Sequence, residues 1–164
     1  MRSIKFAVML ALIATLALSA VVSAGTQRPM KGSYSLAVLP FEAVEQRCGP
    51  NALTIGFEGV GIATHLGRMT GWGSNCTEFG LFTEEVPIYD GLATFVAADG
   101  STLSTSYSGV QQEPVNGVAA SQTNFTVLSG TGRFEGASGS FTSSDVIDFA
   151  AGTVTGNLSG WISY

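Results

Sequence analysis

Few residues in this chain are equipped for acid–base or nucleophilic chemistry. His65 is the only histidine, and so the only side chain whose unperturbed pKa lies near neutrality. A proton-transfer role for it requires a polar partner, and Glu58, seven residues earlier, is the available carboxylate. The structural alternative is a histidine bonded to a backbone carbonyl. It is preferred, because no catalytic dyad or triad accompanies the residue. No Gly-x-Ser-x-Gly elbow occurs, so a serine nucleophile has no support.

The remaining candidates are aromatic. Phe57, Phe95, Tyr107 and Trp161 form the candidate ligand-binding set, and Trp72, Phe141 and Tyr164 are further side chains able to line a pocket. Aromatic residues in a small domain also supply its core, which is the competing reading. Trp161 shares a strand face with Thr155, Asn157 and Ser159, a face that is either an outer polar wall or a polar-lined lumen.

Cys48 and Cys76 are the only cysteines. In an exported chain two cysteines most simply form one disulfide. With one histidine and no clustered thiols, no metal site is expected. Gly130-Thr131-Gly132 followed by Gly136 is one residue too long for a dinucleotide loop and leads into a strand, so no nucleotide cofactor is expected either.

Export is read from the N-terminus. Arg2 and Lys5 precede an uncharged, almost wholly apolar run from Phe6 to Val22, and small residues lead to Ala24, the layout of a cleaved secretory signal over residues 1–24. The expected location is secreted or periplasmic. The segment beyond it carries five basic against twelve acidic residues, a net charge of −7. That balance argues against nucleic acid and against docking of the mature form on anionic lipid.

What remains is enough for one domain. All 21 glycines follow the signal, Ser and Thr are abundant, and the composition favours strands and turns over helices. Residues 25–33 read as a flexible leader, and 34–164 as an all-β domain. Strand candidates run from Tyr34 to Leu39, Leu53 to Glu58, Ile62 to Thr70, Leu92 to Ala98, Thr102 to Ser108, Ser121 to Leu128, Ser140 to Phe149 and Val154 to Tyr164. Turns are expected at Gly59-Val60-Gly61, Asp99-Gly100 and Ala151-Gly152, and loops at Gly71–Asn75 and Gln111–Gly117. In the segment from Ser129 to Gly139, glycines surround Phe134, which reads as the anchor of a compact corner. Arg133 and Glu135 there read as a solvated or locally paired couple. About eight short strands form a closed barrel or a sandwich. A barrel of that size holds side chains or one small guest in its lumen.

Three stretches carry a family resemblance: Gly59 to Arg68, Thr94 to Leu103, and the Ser-Gly-Thr-Gly-Arg-Phe-Glu-Gly-Ala-Ser-Gly corner. Together they resemble bacterial exported proteins of the allene oxide cyclase barrel-like group. The corner is also similar to the Gly-Gly-Thr-Gly-x-Phe stretch of plant dirigent proteins. The resemblance implies a single antiparallel eight-stranded β-barrel with a partly apolar cavity. It also implies that active members steer a reactive small molecule through ring closure or coupling, largely by shape. No binding residue of an allene oxide cyclase has a matching position here, so none is carried over.

The expected function is therefore an exported barrel that binds a small apolar molecule in its lumen, with a homo-oligomer left open. A cofactor-independent cyclase or isomerase using His65 or Glu58 is the first alternative, and a secreted carbohydrate-binding module the second.

Overall fold

The computed structural model describes residues 25–78 and 85–164. The signal-like segment 1–24 and residues 79–84 lie outside the described residues. The rest is a closed antiparallel barrel in which each strand pairs with its chain neighbour and the last returns to the first. Its strands are β1 (Arg28–Val38), β2 (Ala52–Ala63), β3 (Gly67–Glu78), β4 (Glu85–Ala97), β5 (Thr102–Gln112), β6 (Val118–Gly130), β7 (Ser138–Asp148) and β8 (Thr153–Ser163). Closure leaves no free edge.

Period-two patterning decides which face each residue takes. Along β6, Ala119, Ser121, Thr123, Phe125 and Val127 are buried and point inward, while their neighbours are exposed. The inward set changes character along the barrel, with apolar residues at one end and hydroxyls at the other.

The apolar end is filled. Met30, Leu66, Met69, Leu103, Phe134 and Ile162 form its plug, each at most 5 % exposed. Phe134 is fully buried in the short 3-10 turn Gly132–Phe134, with its ring edge-on to Tyr164 at 5.0 Å between centroids. The glycine-bearing corner is thus a barrel connection anchored by its one phenylalanine. The corner closes tightly: a Cβ on Gly130 would strike the backbone and Cβ of Phe134. Arg133 pairs with Asp99 at 2.9 Å and donates to the His65 carbonyl at 2.7 Å, tying three loops of this end together. It does not pair with Glu135.

The Asp99-Gly100 and Ala151-Gly152 turns form as expected, with Gly100 and Gly152 at positive φ. Three expectations do not hold. Gly59 and Gly61 make no turn: β2 runs through them to Ala63, and the chain reverses at 64–66. They are glycines because β1 lies against them, so that a Cβ on Gly61 would sit 2.7 Å from the Ser33 carbonyl oxygen. Gly71 to Asn75 is no loop but the middle of β3. And β1 begins at Arg28, inside the segment read as leader, because Met30 is needed in the plug.

Cys48 and Cys76 are bonded. Residues 39–51 form a strap that leaves β1, crosses the outer wall and enters β2. Gln46 Oε1 accepts from Thr54 N at 3.0 Å, Arg47 N donates to Thr54 Oγ1 at 2.9 Å, and the disulfide fixes the strap to β3.

Candidate functional site

The other half of the barrel is not filled. A cavity of about 110 Å³ opens toward the end formed by the last residues of β1, β3, β5 and β7 and the first of β2, β4, β6 and β8. Its floor is aromatic. Phe125 stacks between Phe141 and Tyr107, with ring centroids 4.9 Å apart on each side, and Phe95 lies across Phe125 and Phe141 at 6.3 and 6.1 Å. These rings separate the cavity from the plug. Ile55, Phe57, Ile88, Ile147 and Val154 form much of the wall. Gly71 and Gly73 on β3 line it without occupying it.

One carboxyl enters this apolar space. Asp145 on β7 is 7 % exposed, and three hydroxyls converge on it. Tyr34 Oη and Ser143 Oγ both donate to Oδ1, and Ser121 Oγ donates to Oδ2 at 3.2 Å. Tyr34 Oη and Ser143 Oγ are themselves 2.5 Å apart. Strand register brings the group together. Asp145 pairs with Ser121 on β6 and Gly156 on β8, and Gly156 in turn pairs with Tyr34 on β1.

Burial is the largest influence on Asp145 and pushes its carboxyl above the ordinary carboxylate range; the hydroxyls of Ser143, Tyr34 and Ser121 work against it. Thr123 Oγ1, itself buried, adds a weaker pull in the same direction as those hydroxyls. Tyr34 is raised well above the ordinary phenol value, first by burial and then by the charge of Asp145, so it stays a neutral donor. Tyr107 is also raised, chiefly by burial, and donates to Asn75 Oδ1 at 3.2 Å. The cavity thus offers a buried carboxyl held by hydroxyls and two neutral phenols in a mostly apolar setting. That combination can recognise one polar group on an otherwise apolar guest, or exchange a proton with it.

Of the aromatic candidates, Phe57, Phe95 and Tyr107 line the cavity. Trp161 does not. It is half-buried on the outer wall of β8, so the polar face it shares with Asn157 and Ser159 is outside. Trp72 is likewise 54 % exposed on the outer wall. Glu58 is exposed on the outside of β2, and His65 lies in the turn of the filled end at φ 70°. The His65 ring meets the Pro29 carbonyl at 3.1 Å and the Tyr164 hydroxyl at 3.3 Å. Neither His65 nor Glu58 reaches the cavity, and the structural reading of the histidine fits its contacts. A turn at 59–61 would put His65 in a strand, whereas β2 runs on to Ala63 and leaves His65 in the reversal that follows.

Asp145, Tyr34, Ser143, Ser121 and Thr123 were not among the sequence candidates. The available signal is the alternation of β7, which puts Phe141, Ser143, Asp145 and Ile147 on one face, a carboxyl between apolar residues. Among the described residues no cluster of His, Cys, Asp or Glu is arranged to hold a metal, and no helix is long and apolar enough to cross a membrane.

No family model and no curated protein matches the sequence. The fold has a solved counterpart. The structure of a pterocarpan synthase dirigent protein superposes with a TM-score of 0.51 at 14 % sequence identity, covering 86 % of this chain and 97 % of that one. The chain therefore has a dirigent-like barrel.

Proposed function

We propose that this is an exported barrel protein that holds a small, mostly apolar molecule in its half-open lumen, with the guest's one oxygen-bearing group set against Asp145. The observation that carries the reading is the position of Asp145: a carboxyl buried on the wall of a mostly apolar cavity. Such a group is costly unless its hydrogen bonds are met. Tyr34, Ser143 and Ser121 meet part of that need. An engineered apolar cavity of roughly 150 Å³ takes up benzene. The space here accordingly suits a single ring or one end of a longer molecule. Export is supported by the N-terminal pattern and by the disulfide.

A second reading is favoured by the same carboxyl. Raised by burial beside the cavity and held in place by Tyr34, the Asp145 carboxyl is a general acid–base group suited to cofactor-independent ring closure or isomerisation. The dirigent protein with the similar barrel is described as a pterocarpan synthase, a synthase on the same fold. In this reading Asp145 takes the role first considered for His65 and Glu58. Carbohydrate binding has less support, because Trp72 and Trp161 sit on the convex outer wall.

Native mass spectrometry of the protein from its own host tests the binding proposal. A co-purifying small molecule, absent from an Ala93→Leu variant, is expected. A clean apo mass together with no thermal shift across a panel of single-ring, lipid and polyketide compounds would overturn it.

A further inference from the structure

The two sulfurs of the disulfide stand in unlike surroundings. Cys76 is 1 % exposed, on the outer face of β3 beneath the strap, whereas Cys48, on the strap itself, is partly exposed. Cys48, whose Sγ lies 3.1 Å from Thr54 Oγ1, is therefore the more accessible of the two cysteines to an incoming thiolate. Behind the bond, Arg47 Nη1 lies 3.8 Å from Cys76 Sγ. The sulfur that departs is thus the one beside a fixed positive charge. A neighbouring guanidinium lowers a thiol's pKa, and thiol–disulfide exchange is faster when the leaving thiol has the lower pKa. Access and leaving-group stabilisation point the same way.

We propose that Cys48 is a thiol-exchange site for a low-molecular-weight thiol. The thiolate of that small molecule attacks Cys48 Sγ, a new S–S bond forms there, and the Cys48–Cys76 bond breaks with its electron pair going to Cys76. One thiolate is consumed and one is produced, so the step needs no further oxidant or reductant. A second molecule of the same thiol, attacking the mixed disulfide, leaves both cysteines reduced and the external pair oxidised.

The exchange reaches the cavity through Arg47. Its Nη2 donates to the carbonyls of Ser74, at 3.2 Å, and Asp90. Those carbonyls lie where the β3–β4 pairing slips between Ser74 and Cys76, next to a second slip in β4 between Ile88 and Gly91. Arg47 fills that seam, and the disulfide one residue away keeps it there. On the inner side of the same seam, Asn75 and Ile88 line the cavity, and Asn75 accepts from Tyr107. Opening the bond removes the covalent tie between the strap and the wall segment that shapes the lumen, leaving the hydrogen bonds of Gln46 and Arg47 to hold it.

The test exposes the folded protein to reduced glutathione near neutral pH, quenches with acid and maps the thiols by peptide mass spectrometry. The expected product carries glutathione on Cys48 and a free thiol on Cys76, formed faster than global unfolding allows. In a Cys48→Ser background, Cys76 is expected to ionise below the ordinary thiol pKa of about 8.5, read by thiolate absorbance, and to move upward when Arg47→Gln is added. Glutathione on Cys76, exchange that proceeds only at the unfolding rate, or a Cys76 titration indifferent to Arg47 would each overturn the proposal.

Discussion

Gly156 on β8 lies directly across the ladder from Asp145 on β7, and there is no room for a side chain between that glycine and the buried carboxyl. A Cβ at 156 would strike Asp145 Oδ1 and sit 2.7 Å from Tyr34 Oη. The missing side chain is what lets a carboxyl from β7 and a phenol from β1 meet. Gly156→Ala should therefore behave as overpacking, costing about 1–3 kcal/mol in urea unfolding and separating the Tyr34–Asp145 pair. A variant as stable as the parent would contradict this account of the position.

The buried carboxyl also fixes the sign of a pH dependence. The folded pKa of Asp145 is raised above its unfolded value, so the folded state binds the proton more tightly than the unfolded state does. This group's contribution is fully present below the unfolded pKa of about 3.9. It declines as pH rises through the folded value. Relative to the parent, Asp145→Asn should gain stability as pH rises through that window and then hold a constant difference. Chemical denaturation of both proteins across acidic to neutral pH checks it, and a pH-independent difference would count against the raised value.

Cavity occupancy should depend on Ala93 and be indifferent to the first catalytic candidates. Ala93 lines the cavity, so Ala93→Leu fills the space. Titration with cyclohexanol, a single ring carrying one hydroxyl, should lose at least tenfold in affinity in that variant. His65→Gln and Glu58→Gln should bind as the parent does, since neither side chain faces the lumen. Equal binding by Ala93→Leu would place the guest elsewhere.

The disulfide closes a separation of 28 residues, which corresponds to roughly 3–4 kcal/mol of stabilisation in the chain-entropy account. After unfolding without reductant no thiol should react with a maleimide. A Cys48→Ser, Cys76→Ser double variant should unfold at clearly lower denaturant. Phe134→Ala, at a fully buried position, should cost about 3–5 kcal/mol while leaving the cavity lining intact.

Much of the fold is legible in the chain, and the exceptions have a common cause. Alternation marks the faces of β6, β7 and β8, two cysteines pair, and Phe134 among glycines reads as an anchor. Glycine is ambiguous at sequence level: it serves turns, and it also serves strands pressed against a neighbour. Gly59 and Gly61 belong to the second kind, as do Gly71 and Gly73 beside Trp72, and neither local pattern says which. A turn at 59–61 would carry His65 into a strand, whereas β2 continues to Ala63 and His65 falls in the reversal after it. At Asp145 the difficulty is different. Period two assigns it to the inner face with Phe141 and Ile147, but Tyr34 and Ser121 reach it from strands 111 and 24 residues away in the chain, through register that only the closed sheet sets.

The central claim is that the mouth half of the barrel takes a guest whose oxygen sits against Asp145. It is tested most directly by an NMR titration of the parent and Asp145→Asn with cyclohexanol, whose O–H can donate to the carboxylate, and with cyclohexane. The account predicts shifts confined to Tyr34, Phe57, Phe95, Tyr107 and their cavity neighbours, with cyclohexanol preferred by the parent and that preference reduced in Asp145→Asn. Shifts on the outer wall around Trp72 and Trp161, or no saturable shifts with either ring, would contradict it.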